Sequence, residues 1–203
     1  MFTVDKYKVL ADNSKGKILD VGMGGGNPHL KNPIGIDIIR VRKPRNYKKV
    51  FVMDAQDLRF KSKTFDTITV GCVIAHVENP SLFLRNLRSV LKDNGTVLLT
   101  IPNPISPVTI IPNSLRPLHH AAKQHISVIP PRNLISLFDH TGFKVIKLIP
   151  LGIEIPYRPQ LERLLHVPLG VKKLRAPFPL AQESLYVLKK KPLKKDKVLV
   201  TGD

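Results

Sequence analysis

Tryptophan is absent from this 203-residue chain, and cysteine occurs once, at Cys72. A single thiol excludes an internal disulfide and any cysteine-rich metal cluster, so nothing calls for an oxidising compartment and the cytoplasm is the expected location. Aromatic residues make up only 6% of the chain, few for the base-stacking platforms of single-stranded nucleic acid binders. Long apolar runs are missing too. The uncharged stretch Ile101 to Leu115 carries Pro102, Pro104, Pro107 and Pro112, which do not suit a membrane-spanning helix. The opening Met1-Phe-Thr-Val-Asp-Lys-Tyr-Lys is broken by charge and lacks the apolar centre of a secretion signal.

Acidic residues are scarce as well. Fifteen Asp and Glu stand against 33 Lys and Arg, a formal charge of +18, and such an excess favours anionic partners: nucleic acid, phosphorylated metabolites or acidic lipid headgroups. Six of the ten residues from Arg40 to Lys49 are basic, and a second cluster runs from Lys189 to Lys197. The second reads as a solvated surface, so residues 191–203 are taken as a basic tail behind one domain, 1–190.

The remaining sequence alternates strand and turn signals. Lys17 to Val21, Ile34 to Ile38, Val50 to Met53, Phe65 to Val70 and Thr96 to Ile101 are apolar runs bounded by Gly, Pro, Asp or Asn, as buried parallel strands are. Between the last two, Asn79-Pro80 supplies a cap and a first-turn proline. Phe83, Leu84, Leu87, Val90 and Leu91 share a helical face, and Asn94-Gly95 marks the expected end. A further helix over about Asn133 to His140 and strands at Phe143 to Leu148 and Leu185 to Lys189 follow. The connectors after the first two strands are lean: Asn27 to Pro33 leaves room for a short or distorted helix, and Ile39 to Lys49, with Pro44, reads as a loop. Fourteen of the 18 prolines lie between Pro102 and Pro192, where long ordered loops over about 101–131 and 150–182 are expected on the substrate side.

Three strand ends carry carboxylates. Ile18-Leu-Asp-Val-Gly-Met-Gly-Gly-Gly26 ends a strand in Asp20 and breaks into a glycine turn through Gly22, Gly24 and Gly26, where backbone can approach a ligand. The dinucleotide fingerprint would place its third glycine at position 27, which is Asn27. Asp20 suits a ligand bearing an amino group better than one bearing a pyrophosphate. Asp37, fifteen residues beyond Gly22, can accept from both hydroxyls of a ribose, and Asp54-Ala55 is placed for the amine and a ring nitrogen of adenine.

These motifs resemble the class I S-adenosylmethionine-dependent methyltransferases, and within them the type 11 group. Asp20-Val-Gly-Met-Gly-Gly-Gly26 is similar to the glycine motif, Gly35-Ile-Asp37 to the ribose motif, and Asp54-Ala-Gln-Asp-Leu to the adenine motif. Phe65-Asp66-Thr-Ile with His76 and Pro80 resembles the fourth-strand motif, and Val90-Leu-Lys-Asp-Asn-Gly95 the turn before the fifth strand. The chain departs from the group at Ala75-His76, where a Glu-His pair is usual. The resemblance implies an α/β Rossmann-like fold, a doubly wound, seven-stranded, mostly parallel sheet with shortened first helices. It implies S-adenosylmethionine as cofactor, held by Asp20, Gly22, Met23, Gly24, Gly26, Asp37, Ile38, Asp54, Ala55 and Gly71.

The acceptor is not written in the sequence. An anionic small-molecule or lipid-linked acceptor drawn by the basic rim is the leading expectation. An RNA-directed methyltransferase using the 40–49 loop and a non-catalytic cofactor-binding module are the alternatives. If the acceptor is a hydroxyl, His76 or His125 is the candidate base. His119, His120 and His125 lack a carboxylate or cysteine to complete a metal site, so no metal is expected. Cys72 reads as a small buried side chain, and Asn103-Pro104 as loop chemistry.

Overall fold

The computed structural model describes residues 5–106, 129–154, 173–174, 176–178 and 180–192. A short helix α1 (Lys6–Asp12) precedes four strands, β1 (Ile18–Val21), β2 (Ile34–Asp37), β3 (Lys49–Val52) and β4 (Phe65–Gly71). After a 3-10 turn at Val73–Ala75 come helix α2 (Pro80–Val90) and β5 (Leu91–Pro102). Helix α3 (Pro131–His140), β6 (Phe143–Pro150) and β7 (Glu183–Lys190) complete the main layer. The sheet runs β3-β2-β1-β4-β5-β7-β6. The first five strands pair in parallel, and β7 lies antiparallel between β5 and β6. Ile153–Glu154 and Lys173–Leu174 form a separate two-stranded pair.

Alternation along the strands divides the core between two faces. On one, Leu19, Val21, Ile36, Ile68, Val70, Val97 and Leu99 join Phe83, Leu84, Leu87 and Val90 of α2 and Leu134 and Phe138 of α3 in a single buried cluster. Each of the four α2 side chains, buried at 1% exposure or less, contributes about 1.5–3 kcal/mol. The other face is thinner: Leu98, Leu185 and Val187 pack with Leu151 and with Leu10 of α1.

Asn79 caps α2 by accepting the Leu82 N–H, with Pro80 in the first turn. The helix stops at Val90 and not at Asn94-Gly95, because Leu91 is already extended, with φ −74° and ψ 139°, and pairs with Phe65 at the start of β4. The lean connectors are leaner than expected. Residues 22–33, 38–48 and 53–64 contain turns and no helix, so the β1, β2 and β3 half of the second face lacks the usual helical cover.

A tyrosine from the basic loop fills that gap. The Tyr47 ring is 2% exposed and lies over Gly35, where an added Cβ would come within 3.0 Å of the ring and 2.3 Å of the Met23 sulfur. Asn46 donates to the carbonyls of Asn27 and Leu30, and Tyr47 N–H to that of Pro44. The loop that carries the charge is therefore pinned to the glycine turn. No helix among the described residues is long and apolar enough to cross a membrane.

Candidate cofactor site

The C-terminal ends of β1, β2 and β3 open into a cleft of about 460 Å³, within the range of small-ligand sites. Gly22, Asp37, Ile38, Asp54, Ala55 and His76, all singled out by the sequence, line it. Gly22 has φ +63°, and a Cβ there would stand 2.2 Å from Val73 Cγ2. Only glycine turns the chain off β1 at that point.

Asp37 is tied to both neighbours. Its Oδ2 accepts the Gly24 N–H at 2.8 Å and its Oδ1 the Ile39 N–H at 3.2 Å, so the acid at the end of β2 also shapes the glycine turn. Asp54 accepts the Gln56 N–H at 2.8 Å. Gln56 in turn accepts the Asn79 N–H through its side chain and an amide hydrogen of Asn86 through its carbonyl, fixing the turn after β3 to the start of α2.

Asp20, Met23, Gly24, Gly26 and Gly71 do not line the cleft. The Asp20 carboxylate is buried under the sheet, where it accepts the Thr69 hydroxyl at 2.6 Å and the Tyr47 hydroxyl. Burial pushes its carboxyl above the usual range, against those two hydrogen bonds. Burial and the adjacent Asp20 charge likewise push the Tyr47 phenol up, so it remains a donor. The Tyr47 oxygen also accepts the Asn27 N–H at 2.7 Å. Asp20 thus acts on the turn through Tyr47.

Ile36, Met53, Gln56, Val73, Val77 and Glu78 complete the cleft wall and were not singled out from sequence. Met53 and Gln56 flank the recognisable Asp54-Ala55 pair, which was the available signal. His125, His119 and His120 lie outside the described residues, as do most of the two proline-rich loops and residues 193–203. Asn103 is structural: its amide donates to the Ala181 carbonyl and its oxygen accepts the Ile105 N–H.

This strand order, with a cleft of carboxylates and a glycine turn at the first three strand ends, defines a class I S-adenosylmethionine-dependent methyltransferase. The profile of the methyltransferase domain family matches residues 3–148, and the chain belongs to that family. Its cofactor is accordingly S-adenosylmethionine. Two uncharacterized proteins of Methanocaldococcus jannaschii are similar to it. One is 35% identical over 106 residues, covering 49% of this chain and 42% of that protein. The other is 26% identical over 145 residues, covering 66% and 67%. The chain therefore spans less than half the length of the first. A SAM-dependent methyltransferase from Thermotoga maritima shares the fold at 17% identity, with a TM-score of 0.69 over 91% of this chain and 87% of that one.

The residues present fit such a cofactor. Three carboxylates, Asp37, Asp54 and Glu78, line a cleft that is apolar at Ile36, Met53, Val73 and Val77, a set of hydrogen-bond acceptors and apolar surface matched to a nucleoside and not to a pyrophosphate.

Proposed function

We propose that the protein transfers the methyl group of S-adenosylmethionine to an acceptor of anionic character, a small or lipid-linked molecule, with the adenosine lying across the ends of β1, β2 and β3. One observation carries this reading: Asp37 at the end of β2 and Asp54 just beyond the end of neighbouring β3 flank one cleft with Gly22. In it, Asp37 accepts the ribose hydroxyls and the Asp54-Ala55 turn meets the adenine edge. Ile36, Met53 and Val77 cover the ring, while Met23, Gly24, Gly26 and Gly71 serve the amino-acid end. When bound, the cofactor supplies an activated methyl on a sulfonium. The chain's own task is then chiefly to orient two reactants and exclude water, which can supply most of the rate. The basic 40–49 loop beside the cleft supports the anionic acceptor.

Changing Asp37 to Ala removes the ribose acceptor and should weaken S-adenosylmethionine binding by about 1.5–3 kcal/mol, the range for a hydrogen bond to a charged group. Calorimetry reads this directly, and a folded variant with parent affinity would remove the assignment. Incubation with methyl-labelled cofactor and fractionated cell extract identifies the acceptor pool. Label in polynucleotide with steep salt dependence would favour an RNA acceptor instead, and binding without label would leave a cofactor-binding module.

A further inference from the structure

Across β4 from the nucleoside cleft, polar side chains meet where β4 and β5 end and β7 begins. Cys72 follows β4 at φ 61° and ψ 9°, the left-handed region. A residue other than glycine, asparagine or aspartate holds that conformation only where its surroundings impose it, and such positions cluster at ligand sites. The turn brings Cys72 Sγ to 3.1 Å from Glu183 Oε1 and 3.5 Å from Thr100 Oγ1. Glu183 opens β7 opposite Pro102, is 7% exposed, and meets Lys6 Nζ of α1 at 3.4 Å. Leu185 and Val187, next on the same face, are apolar and buried. A partly buried ion pair, with Lys6 at 26% and Glu183 at 9% side-chain exposure, is a poor substitute for such packing, because desolvation offsets much of its attraction. Its presence at the C-terminal edge of the sheet calls for a use other than stability. Val73, the next residue after Cys72, is part of the cleft wall.

We propose that this cluster is the floor of the methyl-acceptor subsite, where Glu183 takes the proton of a hydroxyl or amine acceptor and Lys6 holds the carboxylate in place. The inference rests on the cofactor reading above. The acceptor heteroatom forms the new bond to the methyl carbon with its lone pair. The carbon–sulfur bond breaks with its electrons left on sulfur. The acceptor's proton passes to Glu183, which then releases it to solvent. Lys6 from α1 and Cys72 from the β4 exit both face Glu183. Burial opposes the Lys6 charge, but Glu183 and Cys72 outweigh it and hold the ammonium above its usual range. Burial and the Glu183 charge push the Cys72 thiol up to about 11. It stays protonated near neutrality, a hydrogen-bond donor and not a rival nucleophile.

Cys72 is the sole cysteine, so iodoacetamide reports on this pocket in the full chain. Replacing Glu183 by Gln should lower the thiol's pKa and speed its alkylation near pH 8 by about threefold or more. With fractionated extract and labelled S-adenosylmethionine, E183Q should lose about 100-fold in methyl transfer, a usual contribution of one proton-transfer group. Its cofactor affinity should be unchanged, and rising pH should restore part of the rate. E183D should fall between. Alkylated parent chain should bind cofactor and transfer nothing. Should E183Q fail to fold, Lys6→Met, which removes the counter-ion from the half-exposed side, carries the same expectations for transfer and cofactor binding. Equal alkylation of parent and E183Q, or full transfer by a folded E183Q or by the alkylated chain, overturns the proposal. So does a parent that binds cofactor and labels no fraction. A parent that binds no S-adenosylmethionine overturns the cofactor reading instead.

Discussion

Tyr47 carries more of this fold than any other residue in its loop. Its ring replaces a crossover helix over Gly35, and its hydroxyl donates to buried Asp20 while accepting the Asn27 N–H. Removing the hydroxyl leaves the Asp20 carboxylate with Thr69 as its remaining side-chain donor and orphans a buried N–H. Tyr47→Phe should therefore lower unfolding stability by about 1–3 kcal/mol, the cost of unmaking hydrogen bonds to buried groups. In an Asp20→Ala background the same change should cost less, since the two side chains share one interaction. Denaturant unfolding of the four proteins in this cycle measures both. Equal costs in the two backgrounds would mean that the phenol and the carboxylate act separately.

At the scale of elements, the strands were legible because continuous apolar runs between Gly, Pro and Asp leave few alternatives to a buried parallel sheet. The absence of crossover helices was half legible: a seven-residue gap limits a helix, but no periodicity announces that a single tyrosine will cover the strands instead. The end of helix α2 is not legible in the sequence: Asn94-Gly95 is a good stop signal, whereas pairing of Leu91 with Phe65 ends the helix earlier. Helix α1 is too short for its pattern to stand out. The Lys6–Cys72–Glu183 cluster was invisible because its members lie 111 and 177 positions apart, and only the antiparallel return of β7 brings them together. Of the cleft, Gly22, Asp37 and Asp54 were legible, whereas Glu78 and the apolar wall were not.

Asp66 shows how one side chain sets the register of several elements. It accepts the Lys17 N–H at 2.9 Å and the Lys92 ammonium at 2.8 Å, joining the beginnings of β1, β4 and β5. These partners, Lys92 first, hold its carboxyl below the ordinary value of 3.8. A depressed folded pKa contributes stability above the unfolded value, and that contribution disappears as pH falls through the folded one. Asp66→Asn should cost under about 1 kcal/mol near neutrality, since the pair is solvent-screened. The difference from the parent should close as pH falls below 3.8. Unfolding curves at neutral and acid pH test it, and a gap that persists in acid would assign the effect to packing.

For the whole molecule, the distribution of charge matters more than its sum. The basic loop follows β2, while the proposed acceptor floor spans β4 to β7, two to four strands away in the sheet order. At roughly 4.8 Å per strand the two are about 10–19 Å apart. That exceeds the Debye length of about 8 Å at physiological salt. A small anion bound at the floor would feel the loop mainly as a steering field, whereas a long acceptor could touch both. Around the loop, Ile38, Ile39, Phe51 and Val52 are exposed, so its charge is set among apolar side chains along the open edge of β3, and flanking Lys48 and Lys49 discourage edge-to-edge pairing there. Reversing Arg42, Lys43 and Arg45 to Glu changes the local charge by six, from +3 to −3 at these positions. All three are exposed; the change gives up the Lys43 hydrogen bond to the Tyr47 carbonyl but leaves in place the Tyr47 and Asn46 side chains, which pin the loop. Acceptor association should slow and lose most of its salt dependence, with S-adenosylmethionine affinity nearly unchanged. Rates measured at low and high salt separate the roles. Steering alone predicts that parent and variant converge at high salt, and direct contact predicts that the variant stays weaker there. Identical behaviour at both salt levels would leave the loop with no part in acceptor capture.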